Sequence, residues 1–173
     1  MFIPNIKPNI GRNVTKFQKA SNEIVAISPS RARDKAKDLY GLASEIIGDL
    51  KTLKRAVTAY GEESGKNVSS MLSKIDDMIS SMRSVRSKIE KIYDKTGGGY
   101  VSGDDSAGWV NSADRVDVNY RIDNIRSKLV DLVYGLKDFR DYEGCSGLAE
   151  KAIDIIGARS SYGIRGDLRD LKL

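Results

Sequence analysis

The side chains available for chemistry are carboxylates, bases and a single thiol, because the chain holds no histidine. The group most often used for proton transfer near neutral pH is therefore missing, and serine, cysteine or metal catalysis in its usual histidine-dependent form is excluded. A pair of carboxylates could still serve as acid and base. The acidic residues, however, fall mostly on outward helix positions beside lysines and arginines, as Asp76, Asp77 and Glu90 do, and that is the pattern of a solvated helical surface. Cys145 is the only cysteine, so no intrachain disulfide can form and the fold does not depend on an oxidising compartment. The sequence predicts no catalytic residue and a non-enzymatic protein.

Three short motifs lose their meaning once the chemistry they need is spelled out. The glycine run Gly97 to Gly99 is not followed by the lysine and hydroxyl of a phosphate-binding loop. Asp104, Asp105 and Asp114 lack the alternating spacing and closing glutamate of a calcium loop. Arg165, Gly166 and Asp167 spell a tripeptide that integrin ligands display, a three-residue match that chance produces often. No metal and no cofactor are expected.

The elements that must position these residues are long helices. Val68, Ile75, Met82 and Ile89 alternate with Met71, Met78, Val85 and Ile92 over four heptads, a repeat that keeps one helical face turned to a partner. Leu39, Ala43, Ile46, Leu50, Leu53, Val57 and Tyr60 form a second such seam, widened by Leu42 and Ile47. Val118, Ile122, Ile125, Leu129, Leu132, Leu136 and Phe139 form a third. Helices are predicted at about 29–60, 66–95 and 113–141, joined by a short break at Gly61 to Gly65 and by a glycine-rich loop at 96–112. Ser28 followed by Pro29 reads as a cap and first helical position. The fold class is all-α, an elongated antiparallel three-helix bundle over 28–143, with an N-terminal arm (1–27) and a short helix near Leu148 to Ile156 within a tail (144–173).

Prolines at 4 and 8 suggest that residues 1 to 13 are extended, and over Val14 to Ile27 a short helix is preferred to a strand. The arm is expected to be nearly dispensable for the bundle and to dock on a partner through Phe2, Ile3, Ile6 and Ile10. Residues 1 to 37 carry eight basic residues against Glu23 and Asp34, a local balance of +6 within a net +5, so the remainder sums to −1. Arg31, Arg33, Lys35 and Lys37 are thus candidates for meeting an acidic partner. Trp109, in the long loop, is a candidate for insertion into a neighbour. Val130, Val133 and Tyr134 make an apolar strip off the third seam that the arm, the last short helix or another chain must cover.

No apolar run reaches the roughly 20 residues that span a bilayer, and no signal peptide is evident, so folding in a reducing cytoplasm is expected, with a virion or secreted destination open. Trp109 with Tyr134 and Asp138 four apart resembles the Trp-x-Gly turn and Tyr-x-x-x-Asp/Glu signal of helical-hairpin substrates of type VII secretion. Asn111 replaces that glycine, a third long helix is added, and the tyrosine lies inside a helix. The pattern departs from that family, and a secreted effector stays an alternative. The expected function is a structural or adaptor component of a larger assembly, such as a virus particle or secretion apparatus, partnered by other subunits or by copies of itself. A nucleic-acid-binding protein using the basic N-terminal third is the other alternative.

Overall fold

The computed structural model describes residues 8–24, 28–97, 112–138 and 146–157. It contains helices α1 (Ile10–Asn22), α2 (Pro29–Ser64), α3 (Ser69–Gly97), α4 (Ser112–Asp138) and α5 (Ser146–Ile156), and among the described residues there is no strand. The protein is all-α, as its seams require. All seven seam positions of α2 are buried, as are those of α4 from Val118 to Leu136; Phe139 lies outside the described residues. On α3 only Met71 is half-exposed.

Capping chemistry sets the ends. The Ser28 hydroxyl accepts from the Arg31 amide and Pro29 opens α2, so the first turn loses little by lacking a donor. At 36 residues α2 is about 54 Å long at 1.5 Å per residue, and it runs one turn past its expected end at residue 60, through most of the expected break. Only Gly65, with φ +70°, takes the left-handed conformation that stops it, its amide bonding to the Gly61 carbonyl at 3.0 Å. Gly61 has another reason to be glycine. A Cβ there would stand 2.6 Å from a Val68 methyl, so the side chain opening the α3 seam packs where Gly61 leaves room.

Cross-links fix the directions. Arg33 meets Tyr93, Ser44 meets Arg86 and Lys54 meets Asp76, which makes α2 and α3 antiparallel. Lys88 with Asp117, Ser81 with Arg121 and Asp77 with Lys128 do the same for α3 and α4. Asn13 with Asp49 and Glu23 with Lys35 do so for α1 and α2. Both α2 and α4 pack on α1 and α5 as well as on α3. The three long helices are thus completed by a fourth layer made of two short pieces, one from each part of the chain. The pieces abut: a Cβ on Gly157, the residue after α5, would stand 2.3 Å from Asn9 Oδ1, the cap of α1.

This layer corrects two expectations. Residues 10–13 are the first turn of α1 and not an extended arm, because Asn9 caps the Arg12 amide at 2.9 Å immediately after Pro8. Ile10, Val14, Phe17 and Ile24 are fully or almost fully buried, so Ile10 belongs to the core and is no partner contact, and α1 is an integral helix of the fold. Val133 is likewise buried and Val130 half-buried; the strip is largely covered within the chain, on the side of α4 where α1 and α5 lie.

Candidate functional site

Two rows of side chains at helical spacing face each other where α2 begins and α3 ends. Arg33, Lys37 and Tyr40 step along α2 at intervals of four and three; Arg86, Glu90, Tyr93 and Asp94 step along α3. Between the rows lies an open cleft of about 240 Å³ lined by Lys37, Tyr40, Glu90, Tyr93 and Asp94.

Arginines hold both tyrosines in place. The Arg33 guanidinium sits 3.9 Å from the centroid of the Tyr93 ring and donates through Nη2 to the Tyr93 hydroxyl at 2.7 Å and through Nη1 to the Tyr93 carbonyl at 3.4 Å. Arg86 lies 5.5 Å over the Tyr40 ring and donates to the Ser44 hydroxyl at 3.2 Å. Each stacked pair adds on the order of 0.5–1 kcal/mol at a partly exposed site, enough to favour one ring orientation. Lys37, Glu90 and Asp94 are exposed, and no ion pair joins them to another described residue. The result is a preset aromatic floor with charges of both signs free at its rim. Water reaches every charged group, so the cleft suits the docking of a side chain better than desolvated acid–base work.

The expected contact residues distribute unevenly. Arg33 and Lys37 belong to the cleft. Arg31 is exposed and forms no ion pair with a described residue. Lys35 is taken up by Glu23 at 2.6 Å, and its hydrogen bond and charge lower the Glu23 pKa, with smaller contributions from Lys19 and Arg31. Tyr134 is 50% exposed on α4, in line with Val116 at 69% and Tyr120 at 66%. Phe2, Ile3, Ile6 and Trp109 lie outside the described residues. Tyr40, Arg86, Glu90, Tyr93 and Asp94 were not expected. Their signal was present in the sequence, as polar and aromatic residues flanking two seams at matching spacing, but pairing the rows requires the register of α2 against α3.

Carboxylates elsewhere are engaged in surface pairing. Asp76 pairs with Lys54 at 2.8 Å and Asp77 with Lys128 at 3.7 Å. Asp117 takes both Lys88 and Arg121, and the Lys88 hydrogen bond above all lowers its pKa. Among the described residues no three acidic, histidine or cysteine side chains converge as a metal site requires, and no helix is long and apolar enough to cross a membrane.

Comparison with protein-family models, curated proteins and solved structures finds no match to the chain. The functional reading therefore rests on geometry.

Proposed function

We propose that the protein is a non-enzymatic adaptor or structural component that binds another protein through the cleft between α2 and α3. The supporting observation is the pair of tyrosines, each braced by an arginine, with Lys37, Glu90 and Asp94 left available around them. Tyrosine and arginine are the residues that dominate binding energy at protein interfaces, and bracing lowers the entropy lost on contact. The exposed row Val116, Tyr120 and Tyr134 on α4 offers a second contact face, which suits a component of an assembly such as a virus particle or secretion apparatus.

Photo-crosslinking from position 40 in the native setting tests the reading. One or a few defined protein adducts are expected, lost when Lys37→Glu and Asp94→Lys reverse the rim charges. No adduct above background overturns it.

A second reading has its own observation. Arg12, Lys16 and Lys19 lie exposed along the outer side of α1, with no ion pair to a described residue, and could meet nucleic-acid phosphates. Such binding would be weak, insensitive to sequence and steeply lost with salt. Titration of random duplex at two ionic strengths decides it; tight sequence-dependent binding at physiological salt would put this reading first.

A further inference from the structure

A helix that faces a core on one side needs one apolar stripe. In α4 that stripe is Val118, Ile122, Ile125, Leu129, Leu132 and Leu136, all buried. A second row runs along the same helix. Val116, Tyr120, Asp123, Ser127, Val130 and Tyr134 follow one another at steps of four, three, four, three and four, the step pattern of a seam between paired helices. At 3.6 residues per turn this row lies about half a turn round from the first, and of the five helices α4 is the one whose apolar residues gather least on a single side. The described residues leave the row open. Val116, Tyr120 and Tyr134 are 69%, 66% and 50% exposed, Asp123 and Ser127 are exposed, and Val130 is half-buried.

The order of residues within the row says what would cover it. Its ends are apolar and its centre is polar, and the pattern is the same in both directions: Val116 and Tyr134, Tyr120 and Val130, and Asp123 and Ser127 stand equally far from Ile125. A second copy lying antiparallel across the level of Ile125 therefore sets apolar residues against apolar ones at both ends. At the centre it sets the Ser127 hydroxyl, a donor, against the Asp123 carboxylate, an acceptor. The two-fold relation makes each of these contacts occur twice. A parallel copy would instead bring Asp123 onto Asp123 of the other chain, so charge selects the antiparallel arrangement. Asp123 does not enter the contact bare, because Arg126 Nη1 of its own chain stands 3.6 Å from its Oδ1. The tyrosines suit such a face, since a ring buries apolar area while its hydroxyl stays in water.

We propose that the outer row of α4 is a self-association surface, on which a second copy of this chain lies antiparallel with Val116 of each copy against Tyr134 of the other. From Val116 to Tyr134 the contact runs about 27 Å at 1.5 Å per residue. One pair of helices buries less than the interfaces of permanent dimers do, so the two copies exchange. The inference rests on the reading of this face as a contact surface and not on the cleft between α2 and α3.

Light scattering of the full chain over a concentration series tests the proposal: the mass should climb from 19.0 kDa toward twice that value. Tyr120→Glu should weaken self-association at least about tenfold. The register is tested by two further variants, Val116→Cys and Tyr134→Cys, each combined with Cys145→Ser. Mixed under mild oxidation, they should form a covalent dimer. Either alone should form little, since like positions lie about 27 Å apart across the antiparallel pair, far beyond the reach of a disulfide. If Tyr120→Glu disturbs the helical signal, the cysteine pair decides. A mass that stays at 19.0 kDa, association unchanged by Tyr120→Glu, or cross-linking as strong in each variant alone as in the mixture overturns the proposal. A monomeric protein leaves the cleft reading standing, because cross-linking from position 40 tests that one separately.

Discussion

The two sides of α2 are packed differently. Toward α3 its neighbours are aliphatic seam residues, Ile75, Met78, Met82, Val85 and Ile89, all fully buried, and polar contacts are pushed to the margins. Toward α1 the contact includes Asn13, which is buried and donates through Nδ2 to both Glu45 and Asp49, at 3.4 and 3.2 Å, while the buried Gln18 Oε1 lacks a hydrogen-bond partner. Continuous heptads give a long dry interface; a thirteen-residue helix cannot, and it docks through a mixture of apolar anchors and polar ties. The contrast says which part of the molecule holds the fold and which part is easier to loosen.

The largest effect is expected on the dry side. Ile75→Asp or Leu129→Asp places a carboxylate in a fully buried seam and costs several kcal/mol, comparable to the stability of a small domain. Circular dichroism should show no cooperative melt, and a variant melting within a few degrees of the parent would break the comparison at its root. Next comes Phe17→Ala in α1, whose ring is fully buried. A loss of about 3 kcal/mol in denaturant unfolding is expected, and deletion of residues 2–27 should weaken the whole bundle. If either change leaves stability intact, α1 is a separable attachment.

Asp49→Asn probes the polar tie. Burial first, then the Glu45 charge, raises the Asp49 pKa, against the hydrogen bond from Asn13. A carboxyl whose folded pKa is raised binds its proton more tightly in the folded state. Its unfavourable contribution is therefore present in full above the folded pKa and is relieved as pH falls through that value toward 3.8. Parent and variant should differ most near neutral pH, with the asparagine form the more stable, and should converge on acidification; a constant difference across that range would remove Asp49 as the cause. The smallest effect belongs to Lys54→Met, which removes a pair whose side chains are 44% and 54% exposed. A change within about 0.5 kcal/mol is expected in the same unfolding assay.

The long helices were legible because each carries its own evidence: apolar residues three and four apart over many turns need no knowledge of the partner. The fourth layer was legible only in part: the helix near Leu148 to Ile156 was expected and is α5, while the start of α1 was not. In α1 the local signal is short, and Pro4 and Pro8 suggested extension while Asn9, the residue that starts the helix, is unremarkable in sequence. The arm and the last short helix could be named as candidates to cover Val133 beside another chain, but sequence could not choose among the three, since α1 and α5 are far apart along the chain. The cleft was half legible. Arg33 and Lys37 stood out as charge, but Tyr40 and Tyr93 gain meaning only when an antiparallel register sets α2 beside α3. Arg126, buried on α4, gave no sign at all, because one arginine among many charged residues says nothing of burial until its edge of the helix is known.

The junction at Asn9 and Gly157 has a consequence for synthesis. Of the five described helices α1 emerges first and α5 last, yet the two complete the same layer over α2 and α4. A nascent chain can pair α1 with α2, and then α3 with both α2 and α4, while part of the apolar face stays open until the final helix leaves the ribosome. A nascent chain that has emerged only as far as α4 would therefore display a bundle with an unroofed core. Chaperone demand should peak before α5 emerges, and a circular permutant that joins the end of α5 to the start of α1 would bring both halves of the layer out together.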